Sequence, residues 1–166
     1  MKQIELSQGY VALVDDEDFE KVNQFNWAAK QTLRKDGSVC NVYAVGHMKL
    51  QTTIQMHRFI LGITDPTIEV DHEDHKGLNN QRYNLRIATP HQNQGNQVLR
   101  SDNMSGFKGV RYRQRDTKWQ AQIGKERQSL GSFHFATDAA KAYDTAAIAR
   151  FGDFALTNAS LGLLPA

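Results

Sequence analysis

The chain has 166 residues, 40% of them hydrophobic and 23% charged, with one cysteine and a formal net charge of +2. That length fits one domain or two small ones, and that balance excludes a disordered or fibrous chain. The lone Cys40 excludes an internal disulfide and a cysteine-based zinc site, and no apolar run approaches the roughly 20 residues of a membrane span. The first 20 residues hold no apolar stretch of signal-peptide type, so an intracellular location without membrane association is expected.

Charge is unevenly spread. Residues 1–98 carry 10 basic and 12 acidic side chains, and residues 99–166 carry 10 basic and 6 acidic ones. The excess concentrates in Lys108, Arg111, Arg113, Arg115, Lys118, Lys125 and Arg127, opposed locally by Asp116 and Glu126. Basic residues alternating with apolar ones suit either a strand face aimed at phosphates or a solvated sheet face.

In chain order, VALVD (11–15) is apolar and β-branched and reads as a strand. DDEDFEKVNQFNW (15–27) reads as a short helix, with Asp15 as N-cap and Phe19, Val22 and Phe25 at helical spacing. KDG (35–37) signals a hairpin turn and NVYAVGHM (41–48) the returning strand. IQMHRFILG (54–62) reads as a helix ended by Gly62. TIEVDH (67–72) and YNLRIAT (83–89) read as strands around a polar loop centred on Gly77. TPHQ (89–92) is a capping box with proline at the first helical position, which places Asn93 and Asn96 on one face of a helix.

LRSDNMSG (99–106) is polar and marks a linker. GFKGVRYRQ, KWQAQIGKE and RQSLGSFHF then read as three strands joined by turns at Arg115–Lys118 and Lys125–Arg127. ATDAAKAYDTAAIARFG reads as a helix capped by Thr137 and followed by Gly152. Its stripe of Ala139, Ala142, Ala146 and Ala149 suits close packing on a sheet.

The densest chemistry lies in IEVDHEDHKGLNNQRYNLRIATPHQNQGN (68–96). Asp71 offers a hard anionic oxygen and Asn93 a neutral carbonyl oxygen, a pair suited to one Mg²⁺ or Mn²⁺ ion that keeps several waters. His72 titrates near pH 6.5 when unperturbed, so its neutral form can accept a proton. A metal beside a general base points to phosphodiester hydrolysis. Adjacent strand residues face opposite sides, so Asp71 and His72 converge only if the strand ends or bulges there. The competing reading is a polar turn in which Asp71, Asn79, Asn80 and Asn84 satisfy loop backbone. Zinc held by His72, Asp74 and His75 has no fourth ligand at a natural spacing.

The residues Val70-Asp71-His72, Gly77-Leu78-Asn79-Asn80, Asn84-Leu85-Arg86, Thr89, Gln92-Asn93 and Asn96 resemble the HNH nuclease family. The likeness is to the ββα-metal (His-Me) finger group, and especially to HNH homing endonucleases of phages and mobile introns. The resemblance implies that Asp71 and Asn93 hold the ion, with Asn96 the second choice. It implies that His72 is the general base, and that Asn84 braces the loop and helps orient His72. Ile4-Glu5-Leu6, Val14-Asp15, Trp27, Tyr43-Ala44-Val45 and Met56-His57-Arg58 also resemble the segment that precedes this motif, with His57 packed beneath it as a structural residue.

Gly109-Val110-Arg111, Trp119, Ala121, Ile123, Leu130-Gly131-Ser132-Phe133, Ala139-Ala140, Ala142-Tyr143-Asp144, Gly152 and Asn158 resemble the plant ethylene-response-factor (APETALA-type) DNA-binding domain. That likeness implies a three-stranded antiparallel sheet in the major groove with a helix behind it. It implies DNA contacts from Lys108, Arg111, Arg113, Trp119, Gln122, Lys125 and Arg127, with Lys108 and Lys125 at phosphates and core packing as the other role for Trp119. Gly124 and Ser129 depart from the plant pattern, so the plant sequence preference does not carry over.

The expected fold is therefore α+β: an HNH domain over 1–98 with its finger core at 67–98, a linker at 99–106, and a DNA-binding module at 107–160. The expected function is site-directed cleavage of double-stranded DNA, with a homing role, by a monomer or weak dimer using one Mg²⁺ or Mn²⁺ ion. The alternative is a DNA-binding regulator with a decayed finger, and an RNA target is a minor third reading.

Overall fold

The structure is a computed structural model that describes residues 1–34, 36–47, 53–100 and 102–164. Lys35 of the expected KDG turn, Met48 of the expected strand 41–48 and Ser101 of the expected linker lie outside the described residues. The chain is mixed helix and sheet and divides into two compact units, Met1–Thr89 and Pro90–Ala166.

In the first unit, β1 (Lys2–Glu5) and β2 (Val11–Val14) form an antiparallel hairpin. Helix α1 (Asp16–Val22) follows. Asp15 occupies its N-cap position but does not cap it through its side chain. The carboxylate instead accepts hydrogen bonds from Gln81 Nε2 at 2.9 Å and the Arg82 amide at 2.7 Å, which tie the later loop to this corner. The expected helix 15–27 stops at Val22, because Trp27 opens β3 (Trp27–Leu33) and its indole N–H donates back to the Val22 carbonyl. Strand β3 pairs with β4 (Val39–His47), which pairs with β5 (Thr53–Gln55). Helix α2 (Met56–Leu61) ends at Gly62 in the left-handed conformation, as its position predicts.

Ile4, Val14, Val22, Trp27, Ala44, Met56, Ile60 and Leu85 form one apolar core. Each large side chain sealed in it contributes about 1.5–3 kcal/mol. The core underlies the last pair of strands, β6 (Glu69–His72) and β7 (Leu85–Ala88), which are antiparallel with Asp71 opposite Arg86 and His72 opposite Leu85. The loop between them docks on β2, where the Leu13 amide donates to the Leu78 carbonyl and the Asn80 amide to the Leu13 carbonyl, both at 2.8 Å. Gly77 is required there by space. A Cβ would lie 2.5 Å from the Val42 carbonyl and 2.6 Å from the Tyr43 ring.

The second unit begins with α3 (Pro90–Gly95). Asn96 follows the end of this short helix rather than lying within it. The sequence reading set the domain boundary after residue 98 and grouped this helix with the strands. In the structure it belongs to the second unit, because Gly95 lets it approach α4 (Ala136–Phe151) closely. A Cβ on Gly95 would lie 2.6 Å from the Phe151 ring. His91 packs on the same ring, and Arg150 Nε lies 3.1 Å from His91 Nε2.

Strands β8 (Val110–Arg113), β9 (Lys118–Ile123) and β10 (Gln128–Phe133) form a three-stranded antiparallel sheet with β9 central. Val110, Ala121, Ala139 and Ala140 join sheet to helix, continued by Ile123, Tyr143, Ala147 and Phe151. Helix α4 starts at Ala136 with Phe135 as its N-cap residue, so Thr137 sits inside the first turn instead of capping it. Buried Asn158 fastens the tail. It accepts from the Lys108 amide at 2.6 Å and donates to Asp144 at 2.8 Å.

Candidate active site and nucleic-acid surface

Asp71 and His72 end β6 and are both buried, exposing 7% and 6% of their surfaces. Asp71 is held across the ladder by Arg86, whose Nε and Nη2 lie 2.9 and 2.8 Å from the same carboxylate oxygen, Oδ2. The cross-strand register makes this pair, because opposed residues of an antiparallel ladder share a face.

His72 lies on the other side of that alternation. Its Nε2 is 3.4 Å from the Asn80 side-chain oxygen, and its ring stands edge-on to His57, with centroids 5.0 Å apart. Tyr43 closes against both imidazoles. A carbonyl oxygen at Nε2 favours the tautomer protonated there, which leaves the lone pair on Nδ1. Burial lowers the His72 pKa below 6.5, against the opposing pull of the Asn80 hydrogen bond and of the Asp74 and Asp71 charges. The ring is therefore neutral at physiological pH.

Asn84 fixes the loop that carries Asn80. Its oxygen accepts from the Asp74 amide at 2.9 Å, and its amide donates to Asp74 Oδ1 at 2.9 Å and to the Asn79 carbonyl at 2.8 Å. Burial works to raise the Asp74 carboxyl, yet hydrogen bonds from Asn79, the Lys76 amide and Asn84 carry it below the ordinary carboxylate range. Asp74 thus serves the loop as an anionic acceptor. His57 is buried, with no hydrogen-bond partner at Nδ1 among the described residues. Burial first, then the nearby His72 and Arg58, push its pKa down to about 3.

Asp71, His72 and Asn84 thus belong to the first unit, and Asn93, half-buried on α3, belongs to the second. Among the described residues no three His, Cys, Asp or Glu side chains cluster in a way that could hold a metal ion. The sequence reading named Arg86 and Asn80 within the motif and Asp74 as a zinc candidate, but gave none of them its partner here. Arg86 was recoverable from the strand register alone. Asn80 and Asp74 required the loop conformation.

The basic module calls for one correction. Lys108 was expected at phosphates, but only 9% of it is exposed. Its ammonium donates to the Gly95 carbonyl at 2.7 Å and the Leu156 carbonyl at 3.0 Å, so it is a clip inside the unit. Burial lowers its pKa to about 8, against the favourable charge of Asp144. Trp119 was placed at DNA with core packing as its other role, and it is the packing role that the structure shows, against Val110, Ala121, Ala139 and Ala140 on the helix side of the sheet. Its partner there is Tyr112, with ring centroids 5.0 Å apart.

The opposite face carries Arg111, Arg113 and Gln122, and the following turn carries exposed Lys125 and Arg127. Arg113 is ion-paired with Asp116 at 3.1 Å. Arg111, Gln122, Lys125 and Arg127 line an open groove of about 1030 Å³ together with residues 97–100 and 102–105.

Among the described residues no helix is long and apolar enough to cross a membrane. No family model and no solved structure matches the chain. It is 32% identical over 158 residues to an uncharacterized HNH endonuclease of Acanthamoeba polyphaga mimivirus, a span that covers 91% of this chain and 76% of that protein. Likeness of that extent runs through both units, and by it the chain belongs to the HNH endonuclease family.

Proposed function

We propose that the protein is a metal-dependent endonuclease that hydrolyses phosphodiester bonds of double-stranded DNA, with His72 as the general base. The observation that carries this reading is the His72 environment. A neutral imidazole ends the strand on the face opposite Asp71, its Nε2 turned to Asn80 and its supporting loop braced by Asn84. Membership of the HNH endonuclease family supports the same chemistry.

The Asp71 carboxylate is a hard oxygen donor of the type that suits Mg²⁺ or Mn²⁺, whereas no His and Cys cluster of zinc type is present among the described residues. Asp71 would hold the ion in the first unit, and when bound the ion would supply charge stabilisation at the departing oxygen. Arg86 fixes the direction of the Asp71 carboxylate. His72 Nδ1 takes a proton from water, the hydroxide attacks phosphorus, and the bond to the 3′ oxygen breaks. A 5′ phosphate and a 3′ hydroxyl result. Asn84 acts at one remove, through the loop that presents Asn80 to His72.

The C-terminal sheet would bind the duplex in the manner of an ethylene-response-factor-type module, through Arg111, Arg113, Gln122, Lys125 and Arg127. A single such site nicks one strand, and a homing role follows if the bound sequence is long and rare. The test is incubation of supercoiled plasmid and phage DNA with wild type and His72→Ala, in Mg²⁺ or in EDTA. Cutting only by wild type with metal, with binding kept by the variant, is expected. Equal cutting by both proteins removes His72 from its role. Binding without cutting by either would leave a DNA-binding regulator with a decayed finger.

A further inference from the structure

On the sheet face away from α4, a hydrogen-bonded chain crosses all three strands. Arg111 Nε and Nη2 donate to Gln120 Oε1 at 3.0 and 2.7 Å, and Gln120 Nε2 donates to Ser129 Oγ at 3.0 Å. Arg111 and Gln120 are register partners of β8 and β9, so they share one face. Gln120 exposes only 8% of its surface although it lies on the open side of the sheet. Arg111 is exposed above it.

The chain has a direction. A guanidinium has five donors and no acceptor, so it can meet only the oxygen of the amide, and the nitrogen then turns to Ser129. The Gln120 side chain is therefore pinned at both ends. Arg111 is held along its Nε and Nη2 edge, and among the described residues its Nη1 meets no partner. A guanidinium fixed on one edge offers the other as a planar fork of set orientation, the shape that pairs bidentately with the O6 and N7 atoms of guanine. A neutral amide does this without cancelling the charge. A carboxylate in its place, as Asp116 is for Arg113, would do so at least in part.

We infer that Gln120 is a specificity-positioning residue, holding Arg111 in readiness to read one guanine in the major groove. The inference rests on the reading of the C-terminal unit as a duplex-DNA binder. Gln120 itself touches no base; it removes the rotamer freedom that Arg111 would otherwise lose on binding. Among the described residues Arg113 and Arg127 have no such amide support, and they act on phosphates, which position the protein without selecting sequence.

The experiment uses the full chain in EDTA, so that bound DNA stays intact. Duplexes are selected from a random library by wild type, Arg111→Ala, Gln120→Ala and Gln120→Glu, and affinities are then measured against salt. Wild type is expected to enrich a site with a guanine whose preference Arg111→Ala abolishes. Gln120→Ala should weaken discrimination at that one position by about 5- to 100-fold. Its salt slope should match wild type, because no charge is removed, whereas Arg111→Ala should lower the slope by about 1. Gln120→Glu keeps the clamp and should retain the guanine preference with weaker overall binding. Circular dichroism checks that each variant folds, and if Gln120→Ala does not, the outcome with Gln120→Glu decides.

If wild type binds no duplex, the DNA-binding reading fails and the inference goes with it. If wild type shows the Arg111-dependent guanine and Gln120→Ala keeps it unchanged, the inference alone is overturned. Uniform loss of affinity at every position in Gln120→Ala, without loss of selectivity, also overturns it.

Discussion

Replacing His57 by Phe should remove about 2 kcal/mol of the acid sensitivity of the first unit. The His57 imidazole exposes 5% of its surface and meets no hydrogen-bond partner at Nδ1, and burial holds its pKa at about 3 against an ordinary 6.5. Unfolded, the ring takes a proton near pH 6.5; folded, it refuses one until about 3. The neutral ring therefore costs nothing above pH 6.5, and stability is lost as the pH falls through that value, because only the unfolded chain gains the proton. The loss is complete near pH 3, where both states are charged. Between pH 8 and pH 5 the fall spans roughly 1.5 units of the His57 shift, about 2 kcal/mol at 1.36 kcal/mol per unit. Phe keeps an edge-on ring against His72 and Tyr43 and carries no nitrogen to orphan. Urea unfolding should be followed at several pH values by Trp27 fluorescence, in a Trp119→Phe background so that the signal comes from the first unit. Wild type should lose about 2 kcal/mol more than His57→Phe over that range. Parallel losses in the two proteins, or a His57 ring seen by NMR to titrate above pH 5, would refute the reasoning.

Asn84→Ala should lower thermal stability by about 1–3 kcal/mol, because it unties Asp74 and the Asn79 carbonyl together. It should also depress cleavage more than binding, measured by nicking and gel shift on one substrate. Asn84→Asp should do worse at neutral pH, since it sets a second carboxylate against Asp74. Gly77→Ala drives a Cβ into the Val42 carbonyl and the Tyr43 ring, so differential scanning calorimetry should show a cost of about 1–3 kcal/mol. Lys108→Met should destabilise the second unit through the two abandoned carbonyls, yet leave the salt slope of DNA binding at its wild-type value. A slope reduced by about 1 would return Lys108 to the phosphate role its position in the basic run suggested.

Much of this arrangement was legible in the residues, though unevenly. The alternation of TIEVDH and YNLRIAT announced the β6 and β7 pair, and proline at the start of α3 marked a helix that indeed begins at Pro90. Local signals of this kind survive because neighbouring residues decide them. The face of Trp119 was also open to reading. Ala121 and Ile123 follow at a spacing of two, and a strand puts all three on one side. Burial of Lys108 left no local trace, because the carbonyls that hold it lie 13 residues before it and 48 after it. The depth of Asp71 and His72 was hidden for the same reason, since the loop that covers them is anchored on β2, far back in the chain.

The intimate contact of Gly95 with Phe151 constrains how such proteins can be recombined. A chimera that exchanges DNA-recognition modules between relatives at residue 98 would strand α3 against a foreign aromatic, with the Gly95 carbonyl deprived of both Lys108 and the Leu156 amide. A splice between Thr89 and Pro90 keeps that joint whole, so the transferable cassette carries Asn93 with it.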